Sequence, residues 1–344
     1  MLKPLAGIIL GLAFLVWAVP TDAPAQLKVG MVFDSARVED AGFNQACRAG
    51  LQKAALSLPI ATLFRESARR EDYRPNLQEL VTAGCGLIIG AGYQMHADLA
   101  VVAEQNPRVK FALIDSVFAP PKPNVQSITF DVDEAAFPAG FLAAAWADLQ
   151  DPQDAQVGYV GGVRTAAVEQ FVAAYRAGVA HYNKQYNKAV KVRGDYADTF
   201  EDSTRGQALG AAQIAAGIDV IFGVGGTTGA GALRAAQIHG KWGIGVDVDQ
   251  YETLPEVRDI LLTSCLKKMD QAIAAVVQEV LTDKFGGGRN RVGKLANDQV
   301  GLAPWHAFED RIPAWLQQDL ETIQQAIRAG RLATGWPPSY VLPW

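Results

Sequence analysis

The chain has 344 residues, 49% of them hydrophobic and 19% charged, with a formal net charge of −5. That length is enough for two α/β lobes, and the composition is that of an ordinary globular protein rather than a disordered one. The acidic balance and the lack of any Lys/Arg-rich run exclude a broad cationic surface for nucleic acid.

The chain opens with a leader pattern. Lys3 gives a small positive region, and the uncharged apolar run Leu5–Val19 is shorter than the ~20 residues needed to span a bilayer. Ala23-Pro24-Ala25 then supplies an A-x-A-type cleavage site, so residues 1–25 are expected to be a signal peptide and the mature chain to start near Gln26. No cysteine precedes Cys47, which predicts a free periplasmic protein rather than a lipid-anchored one. The cysteines, Cys47, Cys85 and Cys265, are too few and too widely spaced for a disulfide framework or a zinc site.

Downstream, short apolar runs alternate with longer amphipathic stretches, the signature of βα units around parallel sheets. Strands are expected at Lys28–Phe33, Leu87–Ile89, Lys110–Ile114 and Val125–Thr129, then at Val157–Val160, Val190–Val192, Val220–Gly223 and Gly243–Val246. Helices are expected at Asn44–Leu56, Tyr73–Thr82, Ala97–Gln105, Ala135–Leu149, Ala166–Tyr182, Arg205–Ala216 and Gly229–His239. Each half is its own series of about 110 residues, near the usual size of a domain. Beyond Gln250 the pattern adds a strand at Ile260–Ser264, a helix at Met269–Thr282, a short β segment at Lys294–Val300, a last helix at Pro313–Ala329 and an extended tail from Gly335.

The chain contains no G-x-x-x-x-G-K-[ST], H-E-x-x-H or G-x-S-x-G, and its four histidines are scattered, so neither an enzyme nor a cofactor is expected. Asp131/Asp133 and Asp247/Asp249 begin like calcium loops but do not continue as one, so no metal site is expected. The stretch Gly223-Val224-Gly225-Gly226-Thr227-Thr228-Gly229 follows a strand and opens a helix, leaving small residues and free N–H groups where a ligand approaches, Gly225 among them. Asp34, Asp115 and Asp247 each follow an apolar strand directly. In a parallel sheet that is the carboxyl edge, where ligands bind, and carboxylates there accept hydrogen bonds from vicinal sugar hydroxyls. Helix capping or turn formation explains any one of them equally well.

Several ordered fragments carry a resemblance. Val32-Phe33-Asp34, Gly42-Phe43-Asn44-Gln45, Val157-Gly158-Tyr159-Val160-Gly161-Gly162, Asp219-Val220-Ile221-Phe222, Ile244-Gly245-Val246-Asp247-Val248-Asp249-Gln250 and Thr263-Ser264-Cys265-Leu266-Lys267 follow one another along the chain. Together they make it similar to the basic membrane protein family of ABC-transporter substrate-binding proteins, the purine nucleoside receptors. The resemblance implies an α/β type I periplasmic-binding-protein fold, two Rossmann-like lobes with parallel sheets joined by a three-strand hinge. Its crossings are expected near Phe130–Phe137, Asp247–Leu254 and Phe285–Arg291. That gives an N-terminal lobe of residues 26–132 plus 252–286 and a C-terminal lobe of 133–251 plus 287–344. It further implies that Phe43 and Phe222, one from each lobe, sandwich a purine base. Asn44 and Asp34 would line the base side, and Asp115, Asp247 and Lys267 would hold the ribose hydroxyls. Where the family carries a glycine-rich turn, this chain has Ser35-Ala36-Arg37-Val38-Glu39, and Arg37 or Arg164 is a candidate to enter the cleft and recognise a carboxylate or oxidised purine.

The function expected is a monomeric periplasmic solute-binding protein delivering a purine nucleoside to an ABC permease. The alternatives are the same fold with a free base, another purine derivative or a sugar as its ligand, or a ligand-sensing subunit.

Overall fold

The computed structural model describes residues 26–34 and 38–336, so the proposed leader, Arg37 and most of the proposed tail lie outside the described residues. The chain begins with β1 (Leu27–Phe33), α1 (Phe43–Ser57), β2 (Ile60–Arg65), α2 (Tyr73–Thr82), β3 (Leu87–Ala91), α3 (His96–Gln105), β4 (Lys110–Ile114) and β5 (Val125–Phe130). It continues with α4 (Asp133–Gln150), β6 (Gln156–Gly161), α5 (Ala166–Tyr186), β7 (Lys191–Tyr196), α6 (Ser203–Ala215), β8 (Val220–Val224), α7 (Gly226–Ile238) and β9 (Trp242–Asp247). It closes with α8 (Gln250–Thr253), β10 (Leu261–Lys267), α9 (Met269–Leu281), β11 (Asn290–Gly293), β12 (Val300–Leu302) and α10 (Ala314–Arg328).

The inner strands are apolar throughout because helices cover both faces of their sheets. All residues of β3, β6 and β8 are buried. The helices bury one stripe instead: α10 turns Leu316, Leu320, Ile323 and Ile327 inward at three- and four-residue steps. The starts of two of them are fixed by side chains. The Thr165 hydroxyl accepts from the Val168 N–H ahead of α5, and Asp202 accepts from the Arg205 N–H ahead of α6.

The strands form two six-stranded sheets, β2-β1-β3-β4-β5-β11 and β7-β6-β8-β9-β10-β12, parallel except where β12 runs against β10. The order is the same in both, so each lobe presents the carboxyl ends of its strands at an equivalent edge. This is the two-lobed α/β architecture expected from the alternating pattern.

Two of the expected crossings and the lobe boundaries drawn from them need correction. The first crossing lies between Phe130 and Asp133, as placed from the sequence. The second does not fall at Asp247–Leu254: β9, α8 and β10 all stay with the second sheet, where β10 pairs with β9, and the chain crosses between Lys267 and Met269. Helix α9 then packs on α1, with Cys47 Sγ 3.6 Å from Met269 Sδ and Lys53 Nζ 3.1 Å from Asp270. The third crossing follows β11, which pairs with β5 of the first sheet, so it lies between Gly293 and Val300 rather than at Phe285–Arg291. A lone strand reads the same whichever sheet takes it. Strand β2 escapes sequence reading because it edges the first sheet and only Ile60 of it is buried, leaving no clear alternation.

Candidate functional site

The carboxyl edges of the two sheets enclose a cavity with about 650 Å³ of empty space, open mouth included. From the first lobe come Asp34, Asp40, Phe43, Asn44, Gly92, Tyr93 and Asp115. From the second come Thr165, Phe171, Phe200, Val224, Gly225, Gly226, Asp247 and Lys267. The structure thus brings Asp34, Phe43, Asn44, Asp115, Gly225, Asp247 and Lys267 to one cavity.

Phe222 is the exception. It lies mid-strand in β8, paired with Tyr159 on one side and Ile244 on the other, and is 0% exposed. Its ring packs against Tyr175 (centroids 5.1 Å apart) and edge-on against Phe171 (6.1 Å). A side chain in the middle of a central strand points into a covered face, so Phe222 stands behind the cavity wall and supports Phe171, which does line it. The aromatic ring that the second lobe adds beside Phe171 is Phe200, from the connection between β7 and α6. Sequence reasoning missed it because that loop has no periodicity. A signal was present in the glycines it rests on: a Cβ at Gly162 would stand 2.4 Å from the Phe200 ring and one at Gly225 would stand 3.2 Å from it. Gly225, with φ of +146° and Gly162 N only 2.7 Å from its would-be Cβ, is needed for this close approach.

Asp34, at the end of β1, accepts a hydrogen bond from Asn44 Nδ2 at 2.9 Å, which fixes both groups at one wall. Across from it Gly92 leaves room for the carboxylate, since a Cβ there would lie 2.6 Å from Asp34 Oδ2. Asp40 holds the start of α1, accepting from the N–H groups of Gly42 (2.9 Å), Asn44 (3.0 Å) and Gln45 (3.2 Å). Burial nonetheless pushes its carboxyl above the usual carboxylate range, against the pull of those N–H bonds. Helices α1, α5 and α7 all begin at this cavity, and the partial positive charge of their first turns favours the carboxylates gathered there.

Asp115 and Asp247 stand at the carboxyl ends of β4 and β9 with φ of +65° and +67°. This left-handed backbone costs about 1–2 kcal/mol for an ordinary L residue, and less for Asp, whose short side chain bonds locally. Lys267, 3% exposed, ends β10 and reaches from the second lobe to pair with Asp115 of the first. Its ammonium also sits over the rings of Phe43 (4.7 Å) and Phe130 (5.3 Å). The Asp247 carboxyl has no hydrogen-bond partner among the described residues. Burial pushes it up to about 6; Lys267 pulls the other way, and Asp115 and Asp40 add to the rise.

Arg164 does not enter the cavity: its guanidinium pairs with Glu169 at 3.0 Å, lies over the Tyr196 ring at 5.2 Å and is largely exposed. Among the described residues, no helix is long and apolar enough to cross a membrane.

Comparison with known proteins agrees with this architecture. The family model described as "ABC transporter substrate-binding protein PnrA-like" matches residues 27–330. A "CD4+ T-cell-stimulating antigen" of Listeria innocua is 31% identical over 88% of this chain and 86% of its own length. The "ABC transporter nucleoside-binding protein BmpA" of Lactococcus lactis is 28% identical over 80% of this chain and 81% of its own. Among solved structures, an ABC transporter solute-binding protein from Aeropyrum pernix superposes with a TM-score of 0.83 at 24% identity, covering 91% of this chain and 94% of that one, which speaks for the fold. With the match running through both lobes, the chain belongs to the PnrA-like family of ABC transporter substrate-binding proteins.

Proposed function

We propose that this protein binds a purine nucleoside between its lobes in the periplasm and, as a monomer, delivers it to an ABC permease. The observation that carries the reading is that aromatic rings from opposite lobes, Phe43 from one and Phe200 from the other, line a single cavity. Base–aromatic stacking is worth about 1–3 kcal/mol per base. Two rings on separate lobes reach full contact only when the lobes are together, so capture and closure are coupled.

Polar groups support the sugar half. The carboxylates of Asp115 and Asp247 accept hydrogen bonds from hydroxyls, and Lys267 donates. The charge balance of the cavity narrows the class further. Among the described residues that line it, Asp34, Asp40, Asp115 and Asp247 face one ammonium, Lys267, which Asp115 already holds. An added phosphate meets like charge in a poorly solvated space, so neutral nucleosides are favoured over nucleotides. The name of the Lactococcus lactis relative, a nucleoside-binding protein, points the same way.

Calorimetric titration with nucleosides, their 5′-monophosphates, 2′- and 3′-deoxy analogues, free bases and free ribose tests the reading. The expected result is binding of one or more purine nucleosides, with weaker binding of deoxy analogues and none of monophosphates. Binding of a free base or sugar with no preference for the nucleoside would replace the ligand and keep the fold's role.

A further inference from the structure

Beyond the cavity itself, the two lobes meet again at its rim, through the turn that joins Asp40 to α1. The Thr253 hydroxyl of α8 donates to the Ala41 carbonyl at 2.8 Å, and Gln250 Nε2 donates to the same oxygen at 3.3 Å. Ala41 is first-lobe backbone, while α8 belongs to the second lobe. The Ala41 side chain also packs against the second-lobe cluster that contains Leu254 and Val257.

The gripped peptide is held from behind as well. The Ala41 N–H donates to Gln45 Oε1 at 3.2 Å, and Asp40 ties down the N–H groups of Gly42, Asn44 and Gln45. Ala41 has φ of +55°, a conformation disfavoured for alanine, which the surrounding bonds impose. Two and three residues further on the chain reaches Phe43 and Asn44, both in the cavity wall. One short turn therefore carries ligand-facing groups on one side and a contact to the opposite lobe on the other.

We infer that Thr253, which does not line the cavity, is a positioning residue: by gripping the Ala41 carbonyl it latches the lobes together over the ligand and sets how fast the ligand leaves. The choice of probe, though not the latch, rests on the nucleoside reading above. Gln250 is the weaker arm, because its Nε2–Ala41 bond is the longer at 3.3 Å, while its Oε1 accepts from the Val246 N–H at 3.0 Å and its backbone N–H donates to Ser264 Oγ at 3.1 Å, both within the second lobe. The hydroxyl of Thr253 has the shorter bond, and Ala41 is its one side-chain hydrogen-bond partner among the described residues.

The test compares wild type with Thr253→Val, which keeps the shape and removes the donor, and with Thr253→Ser, which restores it. In stopped-flow displacement of inosine, Thr253→Val should release the ligand about 5-fold faster, the effect of one net hydrogen bond, with the association rate unchanged. Thr253→Ser should return to the wild-type rate. In small-angle scattering of the ligand-free protein, Thr253→Val should have the larger radius of gyration. Thr253→Ala repeats the comparison should the valine variant fail to fold. A release rate unchanged by Thr253→Val, or accelerated equally by Thr253→Ser, overturns the latch. If wild type binds no nucleoside at all, the nucleoside reading fails and scattering alone decides: equal radii overturn the latch, and a more open valine variant supports it.

Discussion

Asp115 and Asp247 occupy the same place in the two lobes. Each stands at the carboxyl end of the fourth strand of its sheet, each has a left-handed backbone, and both face one cavity. They differ in what surrounds the carboxyl group. Asp115 is paired with the buried ammonium of Lys267 from the other lobe, whereas the Asp247 carboxyl has no hydrogen-bond partner among the described residues and is pushed up to about 6 by burial. A repeated topology thus delivers two carboxyls to one site and gives them different work. One ties the lobes together, and the other, on the function proposed above, takes a donor brought by the ligand.

The hardest blow to that contrast comes from Asp115→Asn. It leaves the Lys267 ammonium buried without its counter-charge, and breaking such a pair destabilises by about 3 kcal/mol or more. Urea unfolding of the ligand-free protein should show this loss, and a midpoint equal to wild type would mean that Asp115 is not holding the lysine.

Asp247→Asn should act with the opposite sign. Below the ordinary aspartate value near 3.8 the carboxyl is protonated in both folded and unfolded chains and has no effect. Between there and about 6 the unfolded chain ionises first, so the folded state loses stability as pH rises. Above about 6 the penalty is complete, roughly 3 kcal/mol for a carboxyl raised from 3.8 to about 6. The asparagine variant should therefore melt higher than wild type at about pH 7.5 and equally at about pH 3.5. Nucleoside binding runs the other way: hydroxyls donate to the ionised form, so wild-type affinity should fall as pH drops through about 6. Asp247→Asn should bind weakly with no such pH dependence, as calorimetry across roughly pH 5–8 would read.

The aromatic assignment sharpens the comparison between the lobes with a smaller effect. Phe43→Ala and Phe200→Ala should each weaken nucleoside binding by about 1–3 kcal/mol. Phe222→Leu should lower the melting temperature and leave affinity unchanged. Affinity lost at Phe222 but not at Phe200 would reverse the assignment of the second lobe's ring.

Much of this was readable from the chain. Asp34, Asp115 and Asp247 stand out because strand ends are marked by a switch from apolar run to carboxylate, and three of them together at the carboxyl edges of parallel sheets favour a shared site over separate turns. Phe43 and Asn44 are marked only by the family resemblance, since a phenylalanine at the start of a helix otherwise reads as core. Phe200 could not be found this way. It lies in an irregular connection between β7 and α6, where no periodic pattern says which way a side chain points. Tyr93 escapes for a related reason: it sits in a single turn of 3₁₀ helix after Gly92, beside Asp34, with nothing in its neighbours to single it out.

The sequence by itself determined the alternation of strands and helices, the two-lobed α/β fold and the carboxyl edges at which the cavity-lining carboxylates gather. These depend on local periodicity and on the burial of both sheet faces, which the inner strands record in their own residues. Only the tertiary structure decided that β10 stays with the second sheet while β11 joins the first, that Phe222 turns into the core while Phe200 turns into the cavity, and that Thr253 meets Ala41. Those outcomes depend on which partner a strand pairs with and which face a ring meets. Partner and face are set by contacts between residues far apart in the chain, and no short stretch of sequence contains them.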